Sequence, residues 1–83
     1  MNYTVELKPQ AVRDLKRLQR SDATRVADAM EKLSVGLAGD VKKLTNFTPE
    51  YRLRVGSYRI LFEIDQGRHV VVYRIVHRRE AYR

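Results

Sequence analysis

The strongest constraint on the fold of this 83-residue chain is a switch in hydrophobic period at its midpoint. Apolar and polar side chains alternate over residues 51–55, 58–64 and 69–75. Alternation with period two is typical of β-strands that bury one face. Gly56-Ser57 and Gln66-Gly67 interrupt the alternation and predict two tight turns. The second half of the chain is therefore expected to form three antiparallel strands joined as hairpins.

The first half of the chain follows a different pattern. Alternation over residues 3–7 predicts a short strand, and Pro9 suits the first turn of a helix because no N–H partner is needed there. Apolar residues at spacings of three and four then predict two helices, over 11–18 and 23–37. The order βααβββ in a single domain, residues 1–83, predicts an α+β fold. We expect an antiparallel-rich sheet with an N-terminal helical hairpin packed on one face.

Composition excludes several classes of protein. A hydrophobic fraction of 43% is enough for a packed core and too high for a disordered tail. The absence of cysteine excludes disulfides, thiolate zinc sites and thiol chemistry, and it favours a reducing, cytoplasmic location. No apolar run approaches the ~20 residues that span a membrane. We therefore expect a cytoplasmic domain that does not enter a membrane.

Positive charge is concentrated in the second half of the chain. There are 17 Lys+Arg against 10 Asp+Glu, a net charge of +7, and residues 42–83 hold 10 basic and 4 acidic residues, a net charge of +6. After Lys42 and Lys43, every cation is an arginine. The planar guanidinium of arginine binds phosphate with two parallel hydrogen bonds and stacks on bases. This distribution favours a polyanionic partner such as nucleic acid.

The expected hairpin registers align three of these arginines. The first predicted turn pairs Arg54 with Arg59, and the second pairs Arg59 with Arg74. The same face is expected to carry Leu61, Val70 and Val72. Like charges opposite each other destabilise a sheet, so we interpret the row as an anion-binding site. The alternative is that each arginine is solvated or finds an acidic neighbour, with Glu6 and Glu63 available.

The segment after the last strand mixes cations with an imidazole and a phenol, at His77, Arg78, Arg79 and Tyr82. Such a mixture suits contacts with a nucleic-acid backbone together with base stacking, and a ragged basic terminus is the alternative. The second histidine, His69, is expected on the apolar face of the sheet. Because no second ligand is then close to His77, neither a metal site nor a cofactor is expected.

Two segments resemble a known family. The run from Tyr51 to Glu63, YRLRVGSYRILFE, resembles the signature strand pair of the RelE/ParE toxin superfamily, and the ending from Val76 to Tyr82, VHRREAY, resembles its C-terminus. The resemblance implies a toxin that a cognate antitoxin neutralises in a hetero-oligomer. It also implies one of two activities. RelE-type members cut mRNA in the ribosomal A site by metal-free attack of a 2′-OH, whereas ParE-type members poison DNA gyrase.

The resemblance also assigns roles by position. Arg52 and Arg54 match paired basic residues of the family, and Arg59 matches its phosphate-binding arginine. Arg78 or Arg79 matches a basic residue after the last strand. Tyr82 matches a tyrosine that stacks on or orients the target nucleotide. The best-studied kind of RelE carries lysine where this chain has Arg52 and Arg54. Because arginine retains its proton, Arg54 suits charge stabilisation rather than proton abstraction.

The base that would accept the 2′-OH proton is left open by this match. His77 is the preferred candidate because imidazole exchanges protons near neutral pH. Glu63 and Glu50 are weaker candidates. Alternatively, cleavage is accelerated without a protein base, because the ribosome aligns the 2′-OH with the phosphate. The residues expected to act in catalysis are Arg54, Arg59, His77, Arg78 and Tyr82. Those expected to bind RNA are Lys42, Lys43, Arg52, Arg74 and Arg79.

Three functions are compatible with the sequence. The preferred one is a ribosome-dependent mRNA endoribonuclease that inhibits translation until its antitoxin neutralises it. The second is a gyrase poison without nuclease activity, and the third is a non-catalytic RNA-binding domain.

Overall fold

The structure, a computed structural model, describes residues 2–81. Its elements are β1 (Thr4–Leu7), α1 (Pro9–Arg17), α2 (Arg20–Leu33), β2 (Asp40–Lys43), β3 (Tyr51–Val55), β4 (Tyr58–Asp65) and β5 (His69–His77). The strands form one sheet in the order β1-β5-β4-β3-β2, with β1 parallel to β5 and the other neighbours antiparallel. The predicted α+β class and its helical hairpin are confirmed. The sheet has one strand more than the sequence analysis expected.

The additional strand is β2. The second helix was expected to reach residue 37, but it ends at Leu33, and the chain then turns through Gly36, Leu37 and Gly39, all at positive φ. Strand β2 follows and pairs with β3, which places Val41 opposite Leu53. Val41 is the one apolar residue in Asp40–Lys43, so the sequence of β2 contains no alternation from which a strand could be predicted.

The main core lies between the helices and one face of the sheet. The sheet contributes Leu53, Ile60, Phe62, Val70, Val72 and Ile75, and the helices contribute Ala11, Val26, Met30 and Leu33. Tyr51 stacks on Phe62 with ring centroids 5.5 Å apart. Each fully buried large aliphatic or aromatic side chain contributes about 1.5–3 kcal/mol to folding. Neither helix among the described residues is long and apolar enough to cross a membrane.

The first hairpin has the predicted register and the second does not. In β3 and β4, Arg54 lies opposite Arg59, as expected. In β4 and β5, Asp65 pairs with His69, so the connecting loop has three residues instead of two. Further along β5, a β-bulge leaves Tyr73 without a cross-strand partner in β4. Arg59 consequently lies opposite Val76.

The predicted row of three arginines is therefore wrong. Arg74 lies opposite Leu61, and Val70 and Val72 belong to the core beneath the helices rather than to the arginine face. The predicted position of His69 on the apolar face is also wrong. Val70 faces the core, so the preceding residue, His69, lies on the face away from the core. There its Nε2 atom is 3.0 Å from Oε1 of Glu6.

Helix α1 covers the part of β5 that extends beyond β1. Asp14 in this helix is only 6% exposed, and its Oδ2 atom accepts hydrogen bonds from the Ile75 N–H at 2.9 Å and from Arg74 Nε at 2.8 Å. Gln10 donates to the Oδ1 atom of Asp14 at 3.0 Å. Burial raises the pKa of Asp14, but these hydrogen bonds and the Arg74 charge outweigh burial and hold the pKa below its usual value. Arg74 is thus bound to α1 and is not aligned with Arg59.

Candidate functional site

An open groove of about 410 Å³ lies on the sheet face away from the helices. Its lining residues come from β2, β3, β4 and the loop between β2 and β3, and they are Lys42, Leu44, Thr45, Phe47, Arg52, Arg54 and Arg59. Four of these seven side chains are cations, and none is acidic. The arrangement creates a positive potential in a concavity, which attracts anions.

Arg54 and Arg59 form the centre of the groove as direct cross-strand neighbours. They alternate with the core residues Leu53 and Ile60, so both guanidinium groups project away from the helices. The Nη1 atom of Arg59 donates to the Tyr58 carbonyl at 2.9 Å and to the Gly56 carbonyl at 3.1 Å, which orients its guanidinium.

Arg54 differs from Arg59 in the hydrogen-bond partners of its side chain. The side chain of Arg54 makes no hydrogen bond or ion pair with any of residues 2–81. Two adjacent guanidinium groups repel each other, and a phosphate held between them removes that repulsion. The pair is therefore suited to binding a phosphate.

Arg52 is fixed in the groove by strand β2. Its Nη1 atom donates to the carbonyl of Asp40 at 2.7 Å and to Oδ1 of Asp40 at 3.2 Å, and 14% of its side chain is exposed. Lys42 is its cross-strand neighbour and is exposed. Lys43 alternates to the opposite side, where its Nζ lies 4.0 Å from Oε2 of Glu50. The structure therefore brings Lys42 and Arg52 into the groove and separates Lys43 from it.

Phe47 forms an aromatic wall of the groove that the sequence analysis missed. It packs with Leu61, Val76 and Ala81 in a small second core on this face of the sheet. Residue 47 lies in a loop, where no periodicity marks a buried side chain. The available signal was a single aromatic residue within the polar run 45–50.

The C-terminal turn packs against the same small core. Ala81 is 3% exposed and anchors the turn, and the Arg78 N–H donates to the Ser57 carbonyl at 2.7 Å. Arg78 and Arg79 are both exposed in this turn. Tyr82, the expected stacking residue, lies outside the described residues.

His77 does not lie with the arginines. It is the cross-strand neighbour of Tyr58, the two rings meet edge to face at 5.6 Å, and Tyr58 packs on the core beneath the helices. The Nδ1 atom of His77 accepts a hydrogen bond from the Arg79 N–H at 3.3 Å. Because Arg59 projects from the opposite face of the sheet, the expected grouping of His77 with Arg54 and Arg59 is corrected.

The sequence matches the family model for the ParE toxin of type II toxin-antitoxin systems, parDE, over residues 5–82. The chain belongs to this toxin family. The match covers almost all of the sequence, so the resemblance to the RelE/ParE superfamily is confirmed over residues 5–82. The protein is thus a toxin of a type II toxin-antitoxin system.

Solved structures of RelE toxin complexes share the fold of this toxin. A chain of the RelBE2 toxin-antitoxin complex from Mycobacterium tuberculosis is 31% identical, with a TM-score of 0.79 over 93% of this chain and 99% of that chain. A chain of the RelB-RelE complex from Methanococcus jannaschii is 28% identical, with a TM-score of 0.74 over 89% and 91%. A chain of the RelE-RelB complex from Pyrococcus horikoshii OT3, 24% identical, shows the same fold with a TM-score of 0.78 over 98% and 100%.

Proposed function

We propose that this toxin is an endoribonuclease that cuts mRNA in the A site of translating ribosomes. The groove formed by Lys42, Arg52, Arg54 and Arg59 is the observation that carries the proposal. Guanidinium groups bind phosphate by paired, charge-assisted hydrogen bonds, and they stabilise negative charge that develops on phosphate oxygens. A groove with four cations and no carboxylate favours a polyanionic ligand over a protein surface of mixed charge.

The proposed reaction is a transesterification within the RNA. The 2′-OH oxygen bonds to the adjacent phosphorus and loses its proton, while the bond from phosphorus to the 5′ oxygen breaks and that oxygen gains a proton. The products are a 2′,3′-cyclic phosphate and a 5′-OH. Arg54 and Arg59 hold the phosphate and stabilise the charge on its non-bridging oxygens. Arg78 and Arg79 in the C-terminal turn, and Tyr82 beyond it, are proposed as further RNA contacts.

Proton abstraction has no protein group assigned to it in this proposal. The residues lining the groove include no carboxylate and no imidazole, arginine does not lose its proton, and Lys42, the one lysine among them, is exposed rather than buried beside Arg54 and Arg59. The rate therefore comes from charge stabilisation and from alignment of the 2′-OH by the ribosome. Alignment alone contributes ~7–11 kcal/mol in favourable intramolecular reactions.

A cognate antitoxin is the proposed partner that keeps the toxin inactive in the cytoplasm. The three structural neighbours described above are all chains of toxin-antitoxin complexes. An acidic segment that folds on binding is suited to cover the groove, because it neutralises the adjacent arginines.

Gyrase poisoning is the second candidate, and the description of the matching family as the ParE toxin favours it. A gyrase poison traps DNA breaks or inhibits supercoiling and leaves mRNA intact. The two candidates therefore differ in which nucleic acid is damaged after the toxin is induced.

Substitution of Arg59 tests the proposal. We expect Arg59→Ala to lower mRNA cleavage about 100- to 1,000-fold, because it removes one of the two charges at the scissile phosphate. Primer extension on a translated mRNA after induction measures the cut directly. Arg13→Ala is the matched control, because Arg13 is an exposed arginine on α1 that bonds to Gln10. Undiminished cleavage by Arg59→Ala contradicts the proposed site, and intact mRNA with trapped DNA breaks supports gyrase as the target.

A further inference from the structure

Phe47 has two different neighbourhoods in the structure. One is the small core of Leu61, Val76 and Ala81, against which it packs. The other is the cationic groove, which it lines together with Arg52 and Arg59. Its side chain is half-buried, which is unlike the fully buried phenylalanine of the main core, Phe62. The second neighbourhood places its ring beside the cations of the groove.

The chemistry of the groove identifies a ligand that uses both the cations and the ring. Sites for single-stranded nucleic acid combine cations for the backbone with aromatic rings on which bases stack. The groove offers guanidinium groups at Arg54 and Arg59 and a ring at Phe47 along its side. Its volume of about 410 Å³ lies within the ~300–1,000 Å³ usual for small-ligand sites. A single nucleotide, consisting of one phosphate and one base, is a ligand of this class.

We propose that Phe47 is a base-binding residue, against which the base next to the phosphate held by Arg54 and Arg59 stacks. The inference rests on the proposed function and adds to it the position of one base. Since a base in a duplex is already stacked and paired, the groove accepts unpaired RNA whose base has left its stack. Every base has a π-face, so the ring favours stacking without selecting one base.

The small core gives the ring a fixed position. Leu61 and Val76 project from neighbouring strands β4 and β5, and Ala81 closes the cluster from the C-terminal turn. A ring held in place loses little conformational entropy when a base stacks on it. Phe47→Leu keeps an apolar side chain in this cluster and removes the aromatic surface, so it separates packing from stacking.

The test uses the full-length toxin and a short single-stranded RNA whose attacking 2′-OH is replaced by hydrogen, so that it binds without being cut. The same oligonucleotide with an abasic sugar at each position in turn is the second probe. Fluorescence anisotropy titrations give both affinities. For the wild type, we expect one abasic position to weaken binding about 5- to 150-fold, which is the usual effect of losing one stacked base.

Phe47→Leu is expected to bind the intact oligonucleotide with the affinity that the wild type has for the abasic one. Its affinity for the abasic oligonucleotide is expected to be no lower than its affinity for the intact one. Phe47→Trp keeps a stacking surface and is expected to preserve the difference between the two probes. Tyr73→Leu is the matched control, because Tyr73 is an exposed aromatic residue that lies beside Lys8 and outside the groove. It is expected to behave like the wild type.

Three results overturn the inference. The first is a wild type that does not distinguish the intact from the abasic probe. The second is a folded Phe47→Leu variant, shown by its thermal unfolding midpoint, that still distinguishes them. The third is loss of the distinction in Tyr82→Leu while Phe47→Leu retains it, which assigns the base to the C-terminal tyrosine.

The proposed ribonuclease activity fails by a different measurement. A wild type that cuts no mRNA on translating ribosomes rejects the enzymatic proposal, whereas the oligonucleotide titrations still decide the base contact. If both proposals hold, primer extension is expected to show slower cleavage by Phe47→Leu, by a factor similar to its loss of affinity.

Discussion

At the scale of single residues, arginines that are equivalent in the sequence differ in what they can bind. Arg52 is bound to Asp40, Arg74 is bound to Asp14, and Arg54 has no such partner within residues 2–81. The sequence predicted the pairing of Arg54 with Arg59 because a two-residue Gly-Ser turn fixes the register. It could not predict the fate of Arg74, because the partner of that residue is 60 positions away along the chain.

His77 provides a test at the residue scale. We expect His77→Phe to retain cleavage within about threefold of the wild type, because the imidazole lies on the face of the sheet opposite Arg59 and the phenyl ring still packs edge-on against Tyr58. Single-turnover cleavage on programmed ribosomes between pH 6 and pH 8 measures this. Loss of a working general base lowers rates ~10²–10⁴-fold. A loss of that size in folded His77→Phe would return His77 to the site.

At the scale of elements, the sequence predicted those strands and helices whose pattern is set by burial on one side. Strands β3 and β4 alternate regularly, and their register was confirmed residue by residue. The register of β5 was wrong because two local features, a three-residue loop and a bulge at Tyr73, displace it without leaving a periodic signal. Strand β2 was missed because only one of its side chains, the partly buried Val41, packs against the core, and one residue leaves no alternation in the sequence.

Entry into β2 depends on Gly39. Its φ is +125°, and a Cβ at this position would lie 2.7 Å from Cδ1 of Leu53, which is 1% exposed. Gly39→Ala is therefore expected to lower the free energy of unfolding in two ways. The unfavourable φ costs ~1–2 kcal/mol, and steric overlap in the core costs ~1–3 kcal/mol. Thermal unfolding measures the total destabilisation. Each kcal/mol lowers the unfolding midpoint by about 4–8 °C in a domain of this size.

Gly67 is the matched control for this substitution. It has a positive φ of 83°, and an added Cβ meets nothing within 4 Å, so Gly67→Ala pays for the backbone conformation alone. The difference between the two variants contains the overlap with Leu53 together with the difference in backbone cost between φ values of 125° and 83°. Equal shifts in unfolding midpoint would show that β2 moves freely enough to avoid the overlap.

At the scale of the whole molecule, one buried carboxylate joins the N-terminal and C-terminal halves of the toxin. Asp14 in α1 binds Arg74 and the backbone of Ile75 in β5, 60 and 61 residues away. This junction holds α1 on β5 in addition to the apolar contacts of the main core. It is therefore expected to affect the stability of the entire domain more than a surface ion pair does.

Acid titration tests this junction. Hydrogen bonds and the Arg74 charge hold the pKa of Asp14 below its usual value despite burial, so Asp14 stabilises the fold above pH ~4. That contribution is lost as the pH falls through the lowered pKa. We expect Asp14→Asn to cost about 1–3 kcal/mol at neutral pH and to lose less stability on acidification than the wild type does.

Urea unfolding from pH 7 to pH 2 gives the free energies of unfolding for this comparison. Asp28→Asn is the control, because Asp28 is an exposed carboxylate on α2. Parallel acid curves for the wild type and Asp14→Asn would show that other groups dominate acid unfolding.

The parallel pairing of β1 with β5 has a consequence for synthesis of the toxin. Strand β1 has β5 as its neighbour in the sheet, and the small core beside the groove is closed by Val76 and Ala81, which are made after β1 to β4. A nascent chain that still lacks β5 has neither the complete sheet nor the finished groove. During synthesis the anion-binding groove therefore forms late, because it requires β5 and the turn that follows it.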